Sequence, residues 1–89
     1  MKKISSKVII DYVTESTGVS IEEITSLSQL RTVCDARGLL CAALSRYSDM
    51  EFKDLLRFVD RTDNAVSSLI VKARKGESWK KFCEEAKKW

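Results

Sequence analysis

Residues 50–75 read MEFKDLLRFVDRTDNAVSSLIVKARK. Phe52, Leu55, Leu56 and Val59 recur at the three- and four-residue spacing of one helix face, and Val66, Leu69, Ile70 and Ala73 do so again further on. Between the two stripes stand Asp60, Arg61, Thr62, Asp63 and Asn64, residue types suited to a turn and a helix N-cap. The spacing predicts a helix over about 50–59, a tight polar turn, and a second helix over about 63–75. That succession is the outline of a helix-turn-helix.

In such a motif the second helix enters a duplex groove, so its inner face must be apolar and its outer face must bond base edges and phosphates. Turning about 100° per residue away from Val66, Leu69, Ile70 and Ala73, the outer face presents Arg61, Asn64, Ser68, Val71 and Lys75, with Ser67 and Lys72 on its flanks. Arginine pairs guanine and asparagine pairs adenine bidentately, and small hydroxyls permit close approach. The expected site places Arg61, Asn64, Ser67 and Ser68 near bases, sets Arg37, Lys72, Lys75 and Arg74 on phosphates, and includes Thr62 among the DNA-binding residues. Asp63 is the carboxylate of this helix, and at the helix start it favours the dipole and can serve as a cap.

Outward from this stretch, helices remain the expectation. Three glycines and no proline leave few breakers, and a 44% hydrophobic content supplies a core. Val8, Ile9, Tyr12 and Val13 mark a helix over 5–17, with Gly18 placed to end it. Ser20 and Glu23 form a capping box ahead of a short helix whose Ile24 and Leu27 should face inward. From Leu30 to Arg46 the pattern is apolar nearly all round, the mark of a buried central helix, and Arg37 in its middle should emerge at an edge of the core. Ser48 and Glu51 read as a second capping box. After a break at Gly76, Glu77 and Ser78, a final basic helix turns Trp79, Phe82, Cys83 and Ala86 inward. The predicted fold is all-α, a compact bundle of five to six helices containing a helix-turn-helix, with residues 1–89 as a single domain.

The formal net charge is only +3, but its distribution is uneven. Residues 1–71 carry nine Lys or Arg against ten Asp or Glu, whereas residues 72–89 carry seven against three. The basic end begins inside the proposed reading helix, the electrostatic footprint of a nucleic-acid binder, although a lysine-rich helix end also simply keeps a small domain soluble. Cys34, Cys41 and Cys83 form no CxxC pair or metal-ligand cluster, so they read as small hydrophobes and no metal or cofactor is expected. Without a bilayer-length apolar run or a signal-peptide stretch after Lys3, a cytoplasmic protein with no membrane partner is expected. The chain has no histidine and no phosphate-binding glycine loop, so an enzyme acting on a small-molecule substrate is not the expected reading.

From Ile9 to Lys75 the chain resembles the C-terminal duplex-binding domain of the bacterial replication initiator DnaA family. That family runs from an I-x-x-x-V helix through a short capped piece to a long helix bearing R-x-R-Q-x-A-x-x-L-A, then S-L-x-E-I-G and a signature R-D-H-T-T-V. Here the stretches read Ile9-Ile10-Asp11-Tyr12-Val13, Ile21-Glu22-Glu23-Ile24, Asp35-Ala36-Arg37-Gly38-Leu39-Leu40-Cys41-Ala42-Ala43-Leu44, and Arg61-Thr62-Asp63-Asn64-Ala65-Val66. The resemblance implies a helix-turn-helix that binds double-stranded DNA in replication initiation or its regulation. It assigns base reading to Arg61 and a DNA contact to Arg37. Asp35 replaces the first family arginine, and Thr62-Asp63-Asn64-Ala65 replaces D-H-T-T, which implies a different target sequence or weaker binding. With no nucleotide-binding module, the chain is expected to be a piece of a larger protein or a freestanding regulator. The alternative is a protein-interaction module on the same scaffold, suggested by Asp35, Asp60 and Asp63 near the proposed DNA surface.

Overall fold

In the computed structural model, which describes residues 3–89, one helix is surrounded by five others. They are α1 (Ser6–Thr17), α2 (Ile21–Ile24), α3 (Arg31–Tyr47), α4 (Phe52–Val59), α5 (Asp63–Arg74) and α6 (Glu77–Ala86). The protein is all-helical, and among the described residues no strand occurs.

α3 is central because it has almost no polar face: Val33, Ala36 and every residue from Arg37 to Leu44 are buried. All five other helices pack on it, α5 most extensively. Gly38 permits the close approach of α3 and α5. A Cβ built there would stand 3.1 Å from the Leu69 carbonyl oxygen and 3.4 Å from the Ala73 Cβ. Backbone cannot give way as a flexible side chain does, so Gly38→Val should overpack this contact and destabilise the protein by about 2–3 kcal/mol. Chemical denaturation of the variant checks this, and an unchanged midpoint would mean the two helices have room to separate.

The ends of the helices follow from short-range chemistry. Gly18 ends α1 in the left-handed region at φ 71°, its N–H donating to the Thr14 carbonyl at 3.0 Å. The Ser20 hydroxyl accepts from the Glu23 N–H at 3.2 Å, one half of the first capping box, while the Glu23 carboxylate accepts from the Ser20 hydroxyl at 3.5 Å rather than reaching the Ser20 backbone N–H. The second capping box does not form. The Ser48 hydroxyl instead donates to the Leu44 carbonyl at 2.6 Å and accepts from the Met50 N–H at 3.1 Å, so this serine closes α3 and α4 starts behind Glu51 without a side-chain cap.

Three residues expected to face inward are exposed instead. Val8 is exposed while Ile9 and Val13 carry the buried face of α1, and Leu27 is 80% exposed because α2 ends before reaching it. Phe52, at the start of α4, is likewise exposed, leaving Leu55 and Val59 as that helix's buried residues.

α6 is held by an aromatic cluster. Phe82 is fully buried, edge-on to Tyr12, Tyr47 and Trp89 at centroid distances of 5.4–5.7 Å and stacked on Trp79 at 5.8 Å. This ties the C-terminal helix to α1 and the end of α3. No helix among the described residues is long and apolar enough to cross a membrane.

Candidate nucleic-acid interface

α4 is closed by a tight C-terminal motif. Asp60 adopts φ 52°, its N–H donates to the Arg57 carbonyl at 3.3 Å, and the Arg61 N–H reaches back to the Leu56 carbonyl at 3.2 Å. This pair of bonds reverses the chain within two residues, and aspartate tolerates the left-handed region better than most side chains. Thr62 follows as the N-cap of α5, its extended backbone and its hydroxyl, accepting from the Ala65 N–H at 3.3 Å, starting the next helix at once. Thr62 therefore positions α5.

α5 turns Val66 and Ile70 into the core, with Leu69 and Ala73 half-buried beside them. Asn64, Ser67, Ser68, Val71, Lys72, Arg74 and Lys75 are exposed. Among the described residues, Lys72, Arg74 and Lys75 form no ion pair. The Arg74 guanidinium lies 5.8 Å from the centre of the Trp79 ring, which gives it a partner within the molecule. The Ser67 hydroxyl donates to Asp63 Oδ1 at 3.3 Å, so the carboxylate at the helix start is partly satisfied locally. The exposed face of α5 thus offers an amide, two hydroxyls, the apolar side chain of Val71 and two lysines outside the ion pairs of the described residues, with the Asp63 carboxylate at its start.

Arg37 does not emerge at the edge of the core. It is only 3% exposed, and its guanidinium donates to three backbone carbonyls: Nε to Ile24 at 2.7 Å, and Nη2 to Ser26 at 3.0 Å and Ser28 at 3.1 Å. The reason is that α2 ends in an irregular loop whose carbonyls have no helical partner, and the planar fork of an arginine satisfies several of them at once. Arg61 is half-buried and shares the task. Its Nη2 donates to the same Ser26 carbonyl at 2.6 Å, and its Nη1 to Val59 at 3.1 Å and Asp60 at 3.0 Å. Both arginines thus clamp the 25–30 loop, and Arg61 fastens it to the end of α4 at Val59 and Asp60.

The two guanidiniums leave a mark on the core. Burial pushes the Cys41 thiol up to about 11, against the opposing pull of Arg37 and Arg61, so this cysteine is a neutral core residue at ordinary pH. Cys34 is half-buried, with Arg37 Nη1 3.7 Å from its sulfur.

Between the loop and α5 lies a shallow depression of about 310 Å³, bordered by Gln29, Arg37, Arg61, Ser68 and Lys72. The sequence-predicted residues Arg37, Arg61, Ser68 and Lys72 meet there, while Asn64, Ser67 and Lys75 belong to the exposed face of α5. Periodicity did not point to Gln29 or to the loop's part in this surface, because the loop follows no repeat. No group of three or more histidine, cysteine or carboxylate side chains suited to a metal is found among the described residues.

Neither a family model, a curated protein nor a solved structure matches the chain.

Proposed function

We propose that this protein binds double-stranded DNA sequence-specifically, with α5 seated in the major groove as the second helix of a helix-turn-helix. The observation that carries the reading is the exposed face of α5, where Asn64, Ser67 and Ser68 stand near the helix start and the unpaired Lys72 and Lys75 toward its end. In this motif the N-terminal part of the helix meets base edges, and cations further along fix the register on phosphates. Asn64 has the two-point amide that recognises adenine. The family resemblance supports a role in replication initiation or its regulation.

The geometry redistributes the roles expected of the individual residues. Arg37 and Arg61 set the frame of the surface and its positive potential, while Asn64, Ser67, Ser68, Lys72 and Lys75 make the contacts. Titration of a labelled duplex at two salt concentrations tests this. Affinity should fall steeply as salt rises, and removing Lys72 or Lys75 by Lys→Ala should lower the logarithmic salt slope by about one each. Salt-insensitive or absent binding would count against the assignment.

The competing reading is a docking surface for another protein. Exposed Asp35, Asp60 and Asp63 favour it, since carboxylates repel phosphate. The salt titration separates the two readings, because a protein partner would leave the duplex unbound.

A further inference from the structure

A second cleft, of about 420 Å³, opens between α3, α5 and the start of α6. Sites for small molecules are commonly about 300–1,000 Å³, with apolar walls and a few polar groups that fix orientation. Gly38 on α3, Ala73 on α5 and Gly76 ahead of α6 all border this cleft, and none has more than a methyl group with which to fill it. Leu39, only 3% exposed, and the half-buried Leu69 give it apolar walls.

Two opposite charges share its border, Asp35 from α3 and Lys72 from α5. Both are exposed, and among the described residues neither enters an ion pair, so the carboxylate and the ammonium border one cavity without neutralising each other. Taken singly, a solvated charge or an apolar recess specifies no ligand. Together they specify a good deal. A purely apolar occupant would displace water from Leu39 and Leu69 but would also strip water from two charges and return nothing to them. A simple amine would leave Lys72 in that condition, and a simple carboxylic acid would leave Asp35. A molecule that carries an ammonium group and a carboxylate on an apolar body answers every wall of the cleft.

We propose that this cleft binds a small zwitterion of that kind, the chemistry of an apolar α-amino acid, with its ammonium group on Asp35 and its carboxylate on Lys72. The site does not depend on the DNA-binding reading. It shares Lys72 with the proposed contact surface, whereas Asn64, Ser67, Ser68 and Lys75 do not border it.

The test titrates the isotope-labelled full chain, without DNA, with L-leucine, L-methionine, L-phenylalanine and L-tryptophan, and follows the backbone amide resonances by NMR. At least one of the four should bind with a Kd of about 1 mM or tighter, with its largest shifts at Gly38, Ala73, Gly76 and Ser78, which border the cleft. The decarboxylated and deaminated analogues of the tightest binder, phenethylamine and 3-phenylpropionate in the case of phenylalanine, should each bind about fivefold more weakly, the effect of one lost ion pair at a solvent-accessible position. Asp35→Asn and Lys72→Gln, both at exposed positions, should keep the wild-type melting temperature and should each weaken the amino acid about fivefold. Asp35→Asn should leave the affinity for the deaminated analogue unchanged, and Lys72→Gln that for the decarboxylated one. Absence of shifts at the cleft with all four amino acids, analogues that bind as tightly as their parent, or variants that weaken parent and analogues alike would each overturn the assignment. Any of these results leaves the DNA-binding reading standing, and failure to bind a duplex leaves this site standing.

Discussion

Arg37→Met should lower stability by about 3–4 kcal/mol, a loss equal to much of the total for a domain of this size. Methionine fills a similar volume, so little of the effect should come from a cavity. What disappears is the set of charge-assisted bonds to the carbonyls of Ile24, Ser26 and Ser28. A hydrogen bond to a charged group contributes roughly 1.5–3 kcal/mol, and carbonyls left unpaired in partly buried surroundings add their own penalty. Against this stands the gain from no longer burying a cation that has no carboxylate partner, which brings the net loss below the simple sum. At roughly 4–8 °C per kcal/mol, thermal unfolding followed by circular dichroism should shift downward by about 12–30 °C. Arg37→Lys should recover little, because a single ammonium does not reproduce a planar fork aimed at several oxygens. A melting temperature within about 4 °C of wild type would mean that the loop holds itself in place and the clamp contributes little.

This substitution also bears on how DNA would be held. The family resemblance gives Arg37 a direct contact with DNA, whereas its side chain lies inside the protein with its donors spent on backbone oxygens. Its effect on binding should then pass through the loop. In the cold, where the variant remains folded, loss of the clamp should weaken duplex binding with the salt slope little changed. A phosphate contact would instead lower the slope by about one.

The parts of the fold legible in the sequence are those where one physical requirement dominates. The run from Val33 to Leu44 has too little polar surface for anything but a central buried helix, and α3 is that helix. The turn between α4 and α5 is legible because residues 60–64 are types that start helices, although the cap is Thr62, while Asp63, the residue expected in that role, is already the first residue of α5. The misreadings arise where two uses of one residue type compete. Ser48 and Glu51 have capping-box spacing, yet the same hydroxyl can close the preceding helix, and its bond to the Leu44 carbonyl takes that place. Extending the α2 periodicity predicts an inward Leu27, but a periodicity means little over a helix of four residues. The surroundings of Arg37 were the least accessible. Its partners lie 9 to 13 residues away in a loop without periodicity, and nothing in the α3 pattern states that carbonyls are waiting there.

Phe82→Ala should destabilise the protein by about 3–5 kcal/mol, comparably with Arg37→Met, but without its effect on DNA. Phe82 is fully buried, and its ring meets four other aromatic rings. Truncation would remove the transfer free energy of the ring, open a cavity that side chains as large as Tyr47 and Trp79 fill poorly, and forfeit edge-to-face contacts of about 0.5–1.5 kcal/mol each. Phe82→Leu should cost less than half as much, since it retains most of the apolar volume. Urea denaturation of both variants measures the difference. None of the groups proposed to touch DNA belongs to this cluster, and α5 takes its position mainly from α3. At a temperature where Phe82→Ala is still folded, its duplex affinity and salt slope should therefore match wild type. A loss of affinity there would show that the aromatic cluster also sets the position of α5, through the packing of α6 on that helix and of Trp79 against Arg74.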